Sequence, residues 1–188
     1  MDQPDPPGID EPARDASRVA GDSLLESLRE GLEAGSFDQR LDRFCEIAFT
    51  HLAPTGVSWL GFYRATPEGD AMILVTCRDR PACSPIGLHG VCGQAARSGR
   101  TRIIADVNDL GSDYVACDPR DRSEIVVPLV DSTAPGPWPA PLVLDLDSFA
   151  VDRFSDADDV LLREALALAG LVPVSLGPAL HGANPDIA

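Results

Sequence analysis

The predicted strands come in consecutive runs, and this order restricts the fold more than any other feature of the sequence. Alternating apolar segments at 56–64 and 71–76 are separated by the short turn PEGD, and three further strands are predicted at 101–106, 124–130 and 141–147. Parallel neighbours need a long crossover connection, whereas strands joined by short links pair antiparallel. The sequence therefore predicts an α+β fold with a central, largely antiparallel sheet of about five to six strands.

Helices are predicted before, between and after these strands. The second helix begins after an N-cap at Ser36, a short helix runs from Cys92 to Arg97, and the last begins after Ser155. The buried positions predicted for the first and last helices are Leu24, Leu25, Leu28, Leu32, Leu161, Leu162, Ala165 and Leu168. We predict one domain over residues 19–180, between a disordered acidic, Pro-rich tail at 1–18 and a disordered C-terminal tail at 181–188.

The charge of the chain excludes two classes of partner. Its 188 residues carry 30 acidic side chains against 15 arginines and no lysine, a formal net charge of −15. Nucleic acids and anionic membrane surfaces are bound through clustered cations, so we expect no nucleic acid and no membrane as a partner. No apolar run approaches the roughly 20 residues of a membrane span, and the N-terminus lacks the basic start and apolar middle of a signal peptide. We therefore expect a cytoplasmic protein.

In a reducing cytoplasm, five cysteines indicate free thiols, catalysis or a metal site rather than a framework of disulfides. Cys45 is predicted within a helix, as a buried and inert thiol. Cys83, Cys92 and Cys117 are predicted in Gly/Pro-rich or polar segments, where a thiol can react. Two arginines shortly after Cys117 would favour its thiolate, and the aspartate directly after it would oppose this. A zinc site would need His89 and these three cysteines, whose spacing matches no standard pattern, so no metal is expected.

Two aspartates interrupt an otherwise apolar strand. Side chains alternate between the faces of a strand, so Val143, Asp145 and Asp147 share one face. Two carboxylates at this spacing repel each other and require water or a cation. The sequence leaves two readings open: a solvated sheet face, or a pocket that receives a cationic group such as an amine.

Two aromatic residues share one face of the first predicted strand. Trp59 and Tyr63 lie on that face with Gly61 between them, while Leu60 and Phe62 lie on the other. Since apolar residues occupy both faces, the aromatic pair belongs either to the core or to the wall of a concave site.

Six short motifs, taken together and in order, resemble one protein family. They are SWLGFY at 58–63, PAC at 81–83, GVCG at 90–93, VACD at 115–118, SEIVVPL at 123–129 and LDLDS at 144–148. The set resembles the free methionine-(R)-sulfoxide reductases, which are built on a single GAF domain. The resemblance implies a GAF-like fold for the domain at 19–180, with an antiparallel sheet and helices packed on it.

For the cysteines, the resemblance implies a thiol mechanism. Cys117 occupies the position of the family's nucleophile, Cys83 would be the resolving thiol, and Cys92 would be an alternative resolver or a helper. Attack on the sulfoxide sulfur would release methionine and leave a sulfenic acid, which a second thiol converts into a disulfide. The resemblance further implies thioredoxin with NADPH as the external reductant, no bound cofactor, and a homodimer.

The other implied site residues would bind free methionine sulfoxide. Glu124, Asp145 and Asp147 would hold the substrate amine and position or supply the proton for the sulfoxide oxygen. Trp59 and Tyr63 would enclose the methyl group and the rest of the side chain. Because clustered carboxylates raise one another's proton affinity, one of the three could stay protonated near neutral pH.

Two other functions fit the same fold. A GAF domain can bind a small ligand without turnover, and a thiol redox sensor can use the same cysteines without a substrate. The three cysteine positions favour the enzyme over a ligand-binding module, and the carboxylates favour it over a redox sensor. The segments 84–91 and 106–116 depart from the family's pattern, and a Pro-rich connector that includes Trp138 occupies 131–141.

Overall fold

The computed structural model describes residues 11–31, 35–79, 82–113, 117–130, 140–174 and 177–182. These residues form the α-helices α1 (Glu11–Gly31), α2 (Phe37–Leu52), α3 (Val91–Ser98) and α4 (Asp156–Leu168). They also form the strands β1 (Val57–Ala65), β2 (Met72–Arg78), β3 (Arg102–Ile104), β4 (Ser123–Val130), β5 (Leu142–Ser148), β6 (Val172–Pro173) and β7 (Leu180–His181).

The strands form one sheet in the order β2-β1-β5-β4-β3-β7, with β6 paired to β4. Every pairing is antiparallel except that between β3 and β7. The predicted hairpin across PEGD is formed by β1 and β2. The α+β fold with a largely antiparallel sheet is confirmed, and β6 and β7 are too short for a sequence pattern to predict them.

One face of the sheet packs on α1, α2 and α4. Leu60, Phe62 and Leu144 from the sheet meet Leu28 and Phe44 from the helices, and all five are buried. The rings of Phe44 and Phe62 lie edge to face at 5.7 Å. Burial of each such side chain stabilises the fold by about 1.5–3 kcal/mol, so this layer supplies a large share of the stability.

Both predicted helix N-caps are confirmed. The side-chain oxygen of Ser36 accepts a hydrogen bond from the backbone N–H of Gln39 (3.3 Å), and the Gln39 side chain accepts one from the Ser36 N–H (2.8 Å). This reciprocal pair is a capping box. At the start of α4, the backbone N–H of Ser155 donates to Asp158 (2.9 Å).

The other face of the sheet packs on α3. Trp59, Tyr63 and Val143 from the sheet are buried against Val91 of α3. A Cβ at Gly93 would clash with the backbone carbonyl of Leu88 in the loop before α3, so a larger residue there would push the helix and this loop apart. The first turn of α3 therefore lies close against the loop that precedes it.

The ends of the domain differ from the prediction. Helix α1 begins at Glu11, so the predicted disordered tail is wrong for 11–18. Pro12 lies in the first turn, where a helix tolerates proline because a backbone N–H at this position would have no intrahelical acceptor. His181 pairs in β7, so the predicted C-terminal tail is wrong at that residue. Positions 1–10 and 183–188 lie outside the described residues.

One predicted core position on α4 is also wrong. Leu168 is 36% exposed, whereas Leu162, Ala165 and Leu166 are buried. The buried positions follow an i, i+3, i+4 stripe, and Leu168 falls beside it. Leu32 and Trp138 lie outside the described residues. Within the part of the chain that is described, no helix is long and apolar enough to cross a membrane.

Candidate active site

The site is built on two rows of side chains that cross the α3 face of the sheet. In the first row, Trp59 of β1 pairs with Asp147 of β5, which pairs with Glu124 of β4. The second row contains Gly61, Asp145, Val126 and Arg102, from β1, β5, β4 and β3. The register of the strands thereby brings together carboxyl groups that are about 20 residues apart in the sequence.

Three carboxyl groups form a compact cluster on this face. Glu124 and Asp145 are each only 7% exposed, and Asp147 is half-buried. One oxygen atom of each group lies within 4.8 Å of the other two. The two aspartates therefore lie in a pocket and not on a solvated sheet face. We call Glu124, Asp145 and Asp147 the carboxyl cluster.

The carboxyl cluster opens into a cleft of about 500 Å³. Seven of the eight predicted site residues line this cleft: Trp59, Tyr63, Cys92, Cys117, Glu124, Asp145 and Asp147. The eighth, Cys83, contacts Cys117. A second cleft of about 370 Å³ shares Trp59, Cys117 and Asp147 with the first and extends to Phe149. Cys117 thus lies where the two clefts meet.

Burial and mutual repulsion make the carboxyl cluster weakly acidic. Burial raises the pKa of Asp145 to about 7, and it raises the pKa of Glu124 and of Asp147 well above the usual range, with neighbouring carboxylates adding to each shift. Glu124 and Asp147 lie directly opposite each other on adjacent strands, where two like charges destabilise. The carboxyl cluster therefore retains at least one proton near neutral pH.

A fourth carboxylate, Asp121, is a site residue that the sequence analysis misses. It is 6% exposed, lines both clefts, and its side chain accepts a hydrogen bond from Ser58 (3.3 Å). Its negative charge raises the pKa of every member of the carboxyl cluster. The only sequence signal is its position shortly before β4, in a segment with no periodicity.

The thiols of Cys83 and Cys117 lie next to each other at the mouth of the cleft. Both residues are exposed, and the Cys83 thiol is close enough to Cys117 to raise the pKa of the Cys117 thiol. Partial burial, the Cys83 thiol and the negative charge of Asp145 raise the pKa of Cys117 to about 12, although a backbone hydrogen bond from Cys83 opposes this. Cys117 is therefore a thiol near neutral pH, and a cation bound nearby would favour its thiolate.

The arginines that follow Cys117 do not activate it, contrary to the sequence expectation. Arg120 forms an ion pair with Asp118 (2.7 Å) and stacks over the ring of Phe149 (4.5 Å). Arg122 forms an ion pair with Asp106 (2.9 Å). Both guanidinium groups are held by nearer carboxylates, so their proximity in sequence gives no positive charge at the thiol.

Cys92 differs from the other two site cysteines. It is buried in the first turn of α3, and its sulfur lies 3.2 Å from an Asp145 carboxylate oxygen. Burial and the surrounding carboxylates raise the pKa of Cys92 well above its usual range. The Cys92 thiol therefore donates a hydrogen bond to Asp145, and this bond opposes the rise in the pKa of Asp145.

The two predicted aromatic residues belong both to the core and to the cleft wall. Trp59 is 7% and Tyr63 1% exposed, and their ring centroids are 6.1 Å apart. The Tyr63 hydroxyl donates to the backbone carbonyl of Cys83 (2.9 Å), which anchors the segment that carries this thiol. A Cβ at Gly61 would lie 2.5 Å from the Trp59 ring, so glycine is required for the indole to lie flat along the strand.

The described residues do not support the zinc site considered from the sequence. Among them, the only group of three potential ligands within metal-binding distance of each other is the carboxyl cluster, which contains no cysteine or histidine. Cys45 is fully buried in the core, as predicted for an inert thiol, and burial raises its pKa. The site thus offers an accessible thiol pair, a protonated carboxyl group and a strongly negative pocket.

Comparison with known proteins connects this site to one family. The chain is 37% identical over 116 residues to the free methionine-R-sulfoxide reductase of Escherichia coli, covering 60% of this chain and 64% of that protein. It is 30% identical over 166 residues to the free methionine-R-sulfoxide reductase of Saccharomyces cerevisiae, covering 81% of this chain and 87% of that protein. The chain belongs to the free methionine-R-sulfoxide reductase family.

Two bacterial relatives are covered only in part. Protein YtsP of Bacillus subtilis is 39% identical over 111 residues, which cover 57% of this chain and 63% of that protein. The chain therefore spans just under two thirds of the length of YtsP and of the E. coli reductase. No protein-family profile matches the chain.

Solved structures of the family have the same fold. The free methionine-R-sulfoxide reductase of Neisseria meningitidis, solved with its substrate, superposes with a TM-score of 0.65 at 26% identity, covering 86% of this chain and 90% of that one. A solved GAF domain superposes with a TM-score of 0.65 at 28% identity, covering 87% and 96%. The GAF-like fold is thus confirmed.

Proposed function

We propose that this protein reduces free methionine-(R)-sulfoxide to methionine. The observation that carries the proposal is that the Cys117 thiol and the carboxyl cluster line the same cleft. A sulfoxide sulfur accepts a nucleophile only when its oxygen is protonated or hydrogen-bonded, so the reaction needs a thiol and an acid side by side. The names of the relatives in E. coli and yeast support the same activity.

The carboxyl cluster would recognise the ammonium group of the substrate. Hydrogen bonds between ammonium and carboxylate groups are charge-assisted and strong, and the positive charge would relieve the repulsion within the cluster. A methionine inside a peptide has an amide in place of this ammonium group. The free amino acid is therefore the preferred substrate, with its methyl and methylene groups against Trp59 and Tyr63.

In the first half-reaction, Glu124 would donate a proton to the sulfoxide oxygen while the Cys117 thiolate attacks the sulfur. The sulfoxide is reduced to the thioether, the oxygen passes to Cys117 as a sulfenic acid, and the proton lost by the thiol restores Glu124. Glu124 is assigned as the donor because burial keeps its pKa high and because its Oε1 atom has no hydrogen-bond partner among the described residues. The substrate ammonium would favour the thiolate of Cys117.

In the second half-reaction, Cys83 would resolve the sulfenic acid. Its thiol already contacts Cys117, so condensation would release water and form a Cys83–Cys117 disulfide with little movement. An external dithiol protein of the thioredoxin type, kept reduced by NADPH, would restore both thiols by exchange. No step requires a bound cofactor.

Substrate specificity tests this proposal. Purified protein with thioredoxin, thioredoxin reductase and NADPH would be given free methionine-(R)-sulfoxide, the free (S) epimer, or N-acetylmethionine-(R)-sulfoxide, and NADPH consumption would be followed. We expect turnover of the free (R) epimer and at least about a hundredfold lower kcat/KM for the N-acetyl compound, which lacks the ammonium group. Equal rates with the N-acetyl compound would contradict amine recognition.

The exposed thiol pair favours one second candidate, a redox sensor. Such a protein would form the Cys83–Cys117 disulfide with peroxide and would consume no methionine sulfoxide. Absence of turnover with every sulfoxide, with dithiothreitol also failing as the reductant, would replace the reductase proposal with this one.

The position of Cys92 predicts different effects for two substitutions. In Cys92→Ser the hydroxyl can still donate to Asp145, so we expect kcat/KM within about threefold of wild type. In Cys92→Ala the donor is lost and the pKa of Asp145 rises further, so we expect a roughly tenfold lower kcat/KM at pH 7. Because Asp145 must be ionised to bind the ammonium group, the acid limb of the pH profile should move to higher pH.

The pH dependence of kcat/KM for wild type and both Cys92 variants measures this effect. An equal loss of turnover in the serine and alanine variants, together with a Cys92–Cys117 disulfide in the oxidised wild type, would instead identify Cys92 as a resolving thiol.

A further inference from the structure

A buried arginine lies on the same face of the sheet as the carboxyl cluster. Arg102 of β3 is fully buried and pairs with Val126 of β4, which is two residues from Glu124. Side chains two residues apart on a strand share a face, so Arg102 and Glu124 are diagonal neighbours. The reaction outlined above does not use this cation.

The C-terminal strand holds Arg102 in this position. One N–H of the guanidinium donates to the backbone carbonyl of Gly182 (2.7 Å), directly after β7. Gly182 is fixed in turn, because its N–H donates to the carbonyl of Ile103 (3.0 Å) and its φ of +69° is in the left-handed region that favours glycine. A buried cation needs such acceptors, since removing it from water is otherwise costly.

Glu124 is otherwise surrounded by groups that discourage its ionisation. The titratable and charged groups that face it are Asp145 and Asp147 from β5, Asp121 from the segment before β4, Cys92 from α3 and Arg102 from β3. Within this set, drawn from the described part of the chain, Arg102 is the single cation. Its charge lowers the pKa of Glu124, whereas burial and the nearby carboxylates raise it.

We propose that Arg102 is a positioning residue for the reaction. Its guanidinium group is anchored by the end of β7, lies diagonally beside Glu124, and eases release of the Glu124 proton to the sulfoxide. The C-terminal strand is then part of the support of the active site and not only an edge of the sheet. This inference rests on the proposed function in one respect, the role of Glu124 as the proton donor.

The proton affinity of Glu124 can be measured without any substrate. Infrared titration would follow the carboxylic C=O band that disappears in Glu124→Gln. Arg102→Gln keeps a donor for the Gly182 carbonyl but removes the charge, so we expect the midpoint of this band to rise by about half a pH unit or more. Arg102→Lys keeps the charge and should leave the midpoint near wild type.

Arg100 offers a matched control. It donates two hydrogen bonds to the carbonyl of Pro178 in the same C-terminal segment (3.0 and 2.8 Å). Arg100→Gln should therefore weaken the anchoring of this segment without moving the Glu124 midpoint. If Arg102→Gln does not fold, Arg102→Met provides the second neutral variant.

Two readouts separate this inference from the proposed function. A Glu124 midpoint that is unchanged in folded Arg102→Gln overturns the role of Arg102, whatever the activity. A raised Glu124 midpoint, together with a shift of the alkaline limb of the kcat/KM pH profile to higher pH, supports both the role of Arg102 and the role of Glu124 as the proton donor. A raised midpoint with an unmoved limb supports the coupling of Arg102 to Glu124 and overturns Glu124 as the proton donor.

Discussion

Cys117→Ser is expected to lower the turnover of free methionine-(R)-sulfoxide by at least about a thousandfold, because the serine hydroxyl is a far weaker nucleophile toward sulfur and cannot carry the oxygen as a sulfenic acid. The substitution is nearly isosteric, and Cys117 is exposed at the cleft mouth, so substrate binding and folding should be retained. NADPH-coupled turnover and direct measurement of released methionine would give the loss, and thermal unfolding would verify the fold.

Cys83→Ser is the matched control for the nucleophile. Its first half-reaction uses only Cys117, so a single turnover should release one equivalent of methionine and leave a sulfenic acid that dimedone labels. Steady-state turnover with thioredoxin should fall, because no intramolecular disulfide forms. A full steady-state rate in Cys83→Ser, or a methionine burst in Cys117→Ser, would refute this assignment of the two thiols.

Asp145→Asn should change activity and stability in opposite directions. The amide oxygen can still accept a hydrogen bond from the ammonium group, but the attraction between opposite charges is lost. This attraction contributes about 1.5–3 kcal/mol, so we expect KM to rise about 10- to 100-fold. The same change removes a buried charge from a mutually repelling cluster. The variant should therefore be more stable than wild type at pH 8 by a few kcal/mol.

The destabilising effect of the Asp145 carboxylate is expected to depend on pH. The pKa of Asp145 is raised from an unfolded value of 3.8 to about 7, so between these values the folded state binds more protons than the unfolded state. Its contribution to the free energy of unfolding therefore falls as the pH rises from about 4 to about 7 and stays constant above. Asp145→Asn should lack this part of the slope.

Urea unfolding of wild type and Asp145→Asn at pH 5 and pH 8 measures the difference. Asp22→Asn is a suitable control, because Asp22 is an exposed carboxylate of α1 with a side chain that is 72% accessible. Equal stabilities of wild type and Asp145→Asn at pH 8 would mean that the carboxyl cluster is less strained than its burial indicates.

Much of the domain follows from local patterns in the sequence. Period-two alternation places Asp145, Asp147 and Trp59 on one face of their strands, and the structure has all three on the α3 face. The capping residues Ser36 and Ser155 mark helix starts because their partners lie only three residues away. Such features depend on neighbours within a few residues, which any single sequence contains in full.

The electrostatics of the nucleophile could not be obtained in this way. Nearness in sequence favours Arg120 and Arg122 as activators of Cys117, yet both are paired with carboxylates that are better placed. The groups that do act on the thiol come from distant parts of the chain, Cys83 first and then Asp145 on β5. Where a charged side chain points depends on which partner is in reach after folding, and local spacing does not contain that information.

The sequence by itself determined the order of the longer elements, the faces of the strands and, through its motifs, the family and seven of the residues that line the cleft. Only the tertiary structure decided which thiol lies beside Cys117, that Asp121 joins the cleft, and that Arg102 and Glu124 are diagonal neighbours on adjacent strands. The reason is physical. Periodicity records the average environment of a residue, whereas hydrogen bonds and pKa values depend on atomic distances, which strand register and loop closure set across the whole chain.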